Sequence, residues 1–253
     1  MAALSREHRD GWGLAVFDHT GFDGASEPVR GASGWTLHKG IACASEDEQF
    51  HRHAVGSRGD MLVAHIRQRT VGLTSLENTH PFQSGHWMFA HNGTIKDVAY
   101  VRASASKERL DQVRGQTDSE LFFAFVMTRL DAAGLTDVPA NQETDAVVRK
   151  IAQDARARPD FGAFNFVLSD GAAMYAHRFG RTLCLLERGP DDAVRSVRSS
   201  RDGTVVKTPW SQRRHAIIIA SEQMTDEPWQ TISDGLLLRV DRAPRPSWRL
   251  LAA

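Results

Sequence analysis

Three separated pieces of the sequence carry side chains of complementary chemistry: Arg67 in AHIRQRTVG, Asn92-Gly93 in FAHNG, and Asp118 in QTDSEL. A guanidinium pairs with a carboxylate, and an aspartate holds an ammonium. Arg67 and Asp118 together could therefore grip the two ends of a free α-amino acid. A side-chain amide beside a glycine N–H makes an oxyanion hole, which leaves Asn92 and Gly93 for that amino acid's side-chain carbonyl. A fourth piece, His8-Arg9-Asp10-Gly11-Trp12-Gly13, has the form of a turn leading into a strand. Singly, each piece has an ordinary explanation, since an Asp at a helix start is common capping chemistry and a lone Arg is usually a surface residue.

The elements that must position these groups can be read from the apolar pattern. Met61 to Ile66 and Trp87 to Ala90 have the composition of buried strands, the first ending at Arg67 and the second at His91-Asn92-Gly93. Leu14 to Asp18 reads as an earlier strand, Gly21 to Ser33 as a loop, and Trp35 to Gly40 as a strand pairing back in a hairpin. Ser45 with Glu48 predicts a capping box for a short surface helix through Val55. His51 and His53, two apart on that helix, would point to different sides and do not suggest a metal site.

Ile95 to Gly115 is polar and irregular, with a helical turn near Val98. Thr117 with Glu120 forms a capping box, and Leu121, Phe122, Phe125, Val126 and Leu130 recur at helical spacing until Gly134. A second amphipathic helix covers Thr144 to Arg156, with Val147, Val148 and Ile151 as its inner stripe. Gly162–Leu168 and Ala172–His177 form a hairpin around Ser169-Asp170-Gly171, and Thr182 to Glu187 is a further strand. Arg188 to Gln212 reads as a polar loop. The runs at 214–220 (RHAIIIA) and 235–240 (GLLLRV) read as fully buried strands. Strands and helices that do not alternate indicate an α+β fold of layered sheets, and no composition break marks a linker, so a single domain over 1–253 is expected.

Composition narrows the function. Lys plus Arg and Asp plus Glu both number 31, so there is no basic footprint for nucleic acid. No apolar run reaches the ~20 residues of a membrane helix, and MAALSREHRDGWG has no signal-peptide pattern, which points to a cytoplasmic protein. Cys43 and Cys184 lie in small or apolar surroundings that suit inert buried thiols rather than a disulfide framework. His65, His80 and His91 have neighbours able to satisfy them and read as structural.

Taken together, HRDGWG, AHIRQRTVG, ENTHPF, FAHNG, QTDSEL and IIIASEQMTDEPW, in this order from about His8 to Val240, resemble the class II glutamine amidotransferases of the N-terminal nucleophile hydrolase superfamily. The sequence looks closest to stand-alone members and to the γ-glutamyl amide hydrolase of ergothioneine biosynthesis. The resemblance implies a four-layer αββα sandwich and attack on the γ-amide of glutamine, or of a γ-glutamyl compound, by an N-terminal cysteine whose α-amine is the general base. It also implies that Arg67 binds the substrate α-carboxylate, Asp118 its α-ammonium, and Asn92 with Gly93 the oxyanion, with Thr70 lining the pocket. No metal or cofactor is implied, and any ammonia-accepting protein would be separate.

The sequence departs from the family at one place. Ala2 follows Met1, and a few tens of residues that would carry the nucleophile strand are missing ahead of HRDGWG. The expectation is a sandwich lacking its first strand, from a chain whose true start lies upstream with Met-Cys. The alternative is a non-catalytic module that binds glutamine or a γ-glutamyl compound and regulates a partner.

Overall fold

A computed structural model describes residues 10–18, 34–68, 72–189, 197–199, 205–207 and 215–251. Its frame is a six-stranded antiparallel sheet in the order β14-β13-β7-β6-β5-β4, formed by β4 (Phe82–Ser84), β5 (Trp87–Ile95), β6 (Gly162–Ser169), β7 (Ala173–His177), β13 (Leu237–Asp241) and β14 (Ser247–Leu251). Alternation along β5 sorts its side chains. Phe89 faces the helices, while Met88 and Ala90 face the opposite way. On the helix side, α4 (Asp118–Ala132) and α5 (Gln142–Arg156) cover Phe89, Phe164, Phe166, Leu168 and Tyr175. Phe122 sits at the centre of this layer with ring neighbours in Phe89, Phe125, Phe161, Phe164 and Phe166.

The other face of the frame carries two separate three-stranded sheets. One, ordered β2-β1-β3, consists of β1 (Trp12–Phe17), β2 (Trp35–Gly40) and β3 (Met61–Ile66). It packs Ala15, Trp35, Met61 and Val63 against Met88 and Ala90. The second, β11-β8-β12, joins β8 (Cys184–Arg188), β11 (Ala216–Ala220) and β12 (Gln230–Thr231), and packs Leu185, Ile217 and Ile219 towards Ala176 and Leu238. Helix α1 (Glu48–Gly56) closes the outer side of the first sheet, where Phe50 meets Trp12, Leu14 and Val16. The layers are helix, sheet, sheet, helix, which is the expected αββα sandwich.

Several local expectations need correction. Asp47, not Ser45, caps α1, accepting from the Gln49 N–H while its other oxygen takes the Trp12 indole at 2.7 Å. The 95–115 stretch holds two short helices, α2 (Val98–Ser104) and α3 (Lys107–Leu110), capped by Asp97 and Ser106. Within the expected polar loop at 188–212, β9 (Val197–Ser199) and β10 (Val205–Lys207) pair as a hairpin. Strand β11 is the largest departure: all five residues of AIIIA are only partly buried, because one side of the strand borders a groove. The loop expected at 21–33 lies outside the described residues. Among the described residues, no helix is long and apolar enough to cross a membrane.

Candidate functional site

The groove runs between β3 and β11, over the six-stranded sheet, and encloses a cavity of about 750 Å³. Arg67, Asn92, Gly93 and Asp118, which come from three different elements, all line it. Thr70 lies outside the described residues.

Each group is set in place by a different local device. Arg67 follows β3, and its backbone N–H donates to the Gly11 carbonyl at 2.8 Å, which extends the β1–β3 ladder by one step. That pairing carries a residue expected near the surface into the interior, with only 3% of Arg67 exposed. Asn92 and Gly93 do not follow a strand, as the sequence suggests; they lie inside β5, which continues to Ile95 by pairing with the whole of β6. By alternation Asn92 continues the face of Met88 and Ala90 and opens onto the cavity, whereas His91 points towards α4. Only glycine fits next, because a Cβ on Gly93 would lie 1.9 Å from the Ala163 carbonyl oxygen.

Asp118 is the first residue of α4, after the N-cap Thr117. Its carboxylate accepts a 2.6 Å hydrogen bond from the Ile95 N–H, which ties the helix start to the end of β5. Half of the expected capping box forms. Thr117 accepts from the Glu120 N–H, but the Glu120 carboxylate turns to the N–H groups of Arg114 and Gly115.

Two residues that the sequence reading left without a role hold the site together. Asn78 of ENTHPF accepts from the Gln116 N–H at 2.7 Å and donates to the Leu73 carbonyl at 2.9 Å, so the loop before β4 is fastened to the approach of α4. Asn165 stands opposite Asn92 in the β5–β6 ladder. A buried amide with neighbouring backbone partners is the signal for both, and sequence spacing does not display it.

Histidines form the buried side of the cavity. The His80 ring lies 4.3 Å from that of His65 and 4.5 Å from Phe82, and neither of its nitrogens has a hydrogen-bond partner. Burial first, then the neighbouring positive groups, hold its pKa well below the ordinary histidine value. His91 is likewise lowered by burial, opposed by the Asp118 charge, and its Nδ1 meets the Ser119 hydroxyl at 2.7 Å. Both rings are thus neutral at pH 7, and the charged groups of the lining include Arg67 and Asp118 together with Asp60, Arg181, Glu222, Asp241 and Arg242.

The remaining expected features lie elsewhere. Cys43 contacts the Ser45 hydroxyl beside α1, and Cys184 packs with Leu186 and Trp229 on the far side of the second small sheet. His51 reaches the Ser45 carbonyl, whereas His53 stacks on His38 at 3.6 Å.

Comparison with known proteins gives a consistent result. The family described as "Glutamine amidotransferases class-II" matches residues 2–245. The γ-glutamyl-hercynylcysteine sulfoxide hydrolase of Mycobacterium tuberculosis is 30% identical over 181 residues, covering 71% of this chain and 63% of that protein. The probable glutamine amidotransferase DUG3 of Saccharomyces cerevisiae is 25% identical over 263 residues, or 92% of this chain and 70% of that one. Among solved structures, a predicted glutamine amidotransferase from Pseudomonas aeruginosa superposes with a TM-score of 0.66 at 23% identity, covering 97% of this chain and 88% of the other. That likeness establishes the fold.

Proposed function

The chain belongs to the class II glutamine amidotransferases, and from that membership we propose that it recognises the γ-glutamyl end of glutamine or of a γ-glutamyl amide. The observation that carries this reading is the convergence of Arg67, Asn92, Gly93 and Asp118 on one cavity. Arg67 takes the substrate α-carboxylate, and Asp118 takes the α-ammonium. The γ-carbonyl then rests against Asn92 and the Gly93 N–H, which accept the charge that develops on its oxygen when a nucleophile adds. Collapse of that adduct expels ammonia or an amine, and water releases glutamate. Simple hydrolysis needs no further domain, whereas amide transfer would need a separate ammonia-accepting protein.

The thiol for such an attack is not among the described residues, since Cys43 and Cys184 both lie away from the cavity. That same observation favours a second reading, a recognition module that binds the γ-glutamyl group without cleaving it. One pair of measurements separates the two. Calorimetry on this chain should detect glutamine or γ-glutamyl amides, with binding abolished by Arg67→Ala; absence of binding to either class of compound would sink both readings. A form carrying a cysteine with a free α-amine on a strand joined ahead of Asp10 should then release ammonia or an amine. Persistent binding with no release leaves the module as the function.

A further inference from the structure

Strand β2 carries a lysine where its sheet faces inward. Alternation along Leu37-His38-Lys39 turns His38 to α1, where it stacks on His53, and turns Leu37 towards the six-stranded sheet. Lys39 follows Leu37 on that inward side. Its Nζ lies 5.2 Å from the centre of the Phe82 ring and donates to the Leu76 carbonyl over a long 3.4 Å. Among the described residues, no carboxylate forms an ion pair with it. Burial brings the Lys39 pKa down to about 8, against the opposing charges of Glu120 and Glu77. At pH 7.5 about a quarter of Lys39 is then the neutral amine, against about a thousandth of an ordinary lysine.

A second cavity, of about 760 Å³, opens beside this amine at the edge of the frame, where β4 is only three residues long. No residue lines both this cavity and the groove that holds Arg67. Phe82, Phe123 and Met127 form its buried side, and half-exposed Leu76 borders it. Other polar groups of the lining are already committed, Arg109 to Asp131 and Ser84, and the Glu120 carboxylate to two backbone N–H groups. The apolar surface suits an aromatic or aliphatic body, and Lys39 supplies a nucleophile, since a lysine desolvated among apolar groups is the form that attacks a carbonyl. Acylation would erase the positive charge near Glu77 and Glu120, whereas a protonated imine keeps it.

We propose that this cavity is a second small-molecule site, which takes an aldehyde of apolar body and holds it as a reversible imine on Lys39. The nitrogen electron pair adds to the carbonyl carbon. The carbonyl oxygen takes one proton from the nitrogen and one from solvent, and it leaves as water. The C=N bond that forms stays protonated near Glu77 and Glu120. No electrons change hands, and the site is independent of the chemistry assigned to Arg67 and Asp118.

The test exposes the whole chain to benzaldehyde at pH ~7.5, reduces any imine to a stable amine with cyanoborohydride, and locates the label by proteolysis and mass spectrometry. The lysines of the chain compete directly, so no variant is needed for the main result. Lys39 should be labelled roughly tenfold or more faster than the exposed Lys107 and Lys150, and its labelling should saturate as benzaldehyde rises. That lead should shrink towards pH ~10, where the exposed lysines also lose their protons. Lys39→Arg should leave only slow labelling that does not saturate. Label spread evenly over the lysines, a linear dependence on benzaldehyde, equal capture of glyoxylate, which has no apolar body, or a preference that survives in concentrated urea would overturn the proposal.

Discussion

Asn165 spends its side-chain amide on two backbone groups, donating to the Thr182 carbonyl at 2.9 Å and accepting from the Phe179 N–H at 2.8 Å, while its ladder partner Asn92 opens onto the cavity. The two asparagines thus divide support from chemistry. Asn165→Ala removes a buried amide from two part-buried backbone groups and should cost about 1 to 3 kcal/mol in urea denaturation. Asn92→Ala, being exposed, should leave stability within about 0.5 kcal/mol. In a catalytically complete form, the same substitution should lower turnover by about 10² to 10³-fold.

Asp118 both ties α4 to β5 and presents a charge to the cavity, and two substitutions separate those contributions. Asp118→Asn retains an oxygen for the Ile95 N–H, so the melting temperature should change little while glutamine affinity falls, by about tenfold or more. Asp118→Ala should reduce both, with a stability loss of about 1 to 3 kcal/mol from the stranded N–H. Full glutamine affinity in Asp118→Asn would remove the charge from substrate recognition.

A buried ionic knot lies on the helix side of the frame, and none of its members Asp145, Tyr175, Arg239 and Arg249 lines the cavity. Asp145 of α5 receives Arg239 at 2.6 Å, Arg249 at 2.6 Å and the Tyr175 hydroxyl at 2.7 Å. Removing the carboxylate leaves the buried Arg239 guanidinium with Asp241, at 2.8 Å, as its remaining countercharge. Asp145→Ala should destabilise by about 2 to 4 kcal/mol, measured by thermal or denaturant unfolding, because one of the two carboxylates paired with Arg239 is lost while the other remains. Glutamine binding by the molecules that remain folded should be unaffected.

Acid should weaken the fold through its neutral histidines. His177 is sandwiched between Phe164 and Phe166, and burial pushes its pKa down to about 4. The unfolded chain takes up that proton near pH ~6.5, before the folded chain does, so stability is complete above that value and drains as the pH falls towards about 4. The single site accounts for about 3 kcal/mol over this window. His80 and His91, also lowered by burial, act in the same direction. Urea midpoints measured from pH 7 to 5 should fall, and His177→Phe should flatten the slope. An unchanged slope would exclude His177 as a source.

Legibility in the sequence followed the range of each interaction. The helix from Thr117 and the hairpin around Asp170 rest on local chemistry, and both are where the pattern puts them. The cap of α1 escaped because Asp47 is chosen jointly by Gln49 two residues on and Trp12 thirty-five residues back. Strand β5 was expected to stop at Ala90 because His91 and Asn92 are polar. Its ladder with β6 and the missing side chain of Gly93 carry it on to Ile95. Arg67, Asn92 and Asp118, grouped in the sequence for their complementary chemistry, all line one cavity. The anchors Asn78 and Asn165 were not legible, since their partners are backbone atoms that any sequence supplies.

Glycine at position 13 allows β1 to lie directly on the segment before β4, where a methyl group would come within 1.9 Å of the His80 carbonyl oxygen. At this point the first small sheet therefore meets the rear wall of the cavity by main-chain contact. Any enlargement at that seat would lift Arg67 away from Asn92 and Asp118 without altering a single group that touches a ligand, so the reach of the guanidinium is governed by an atom the sequence omits.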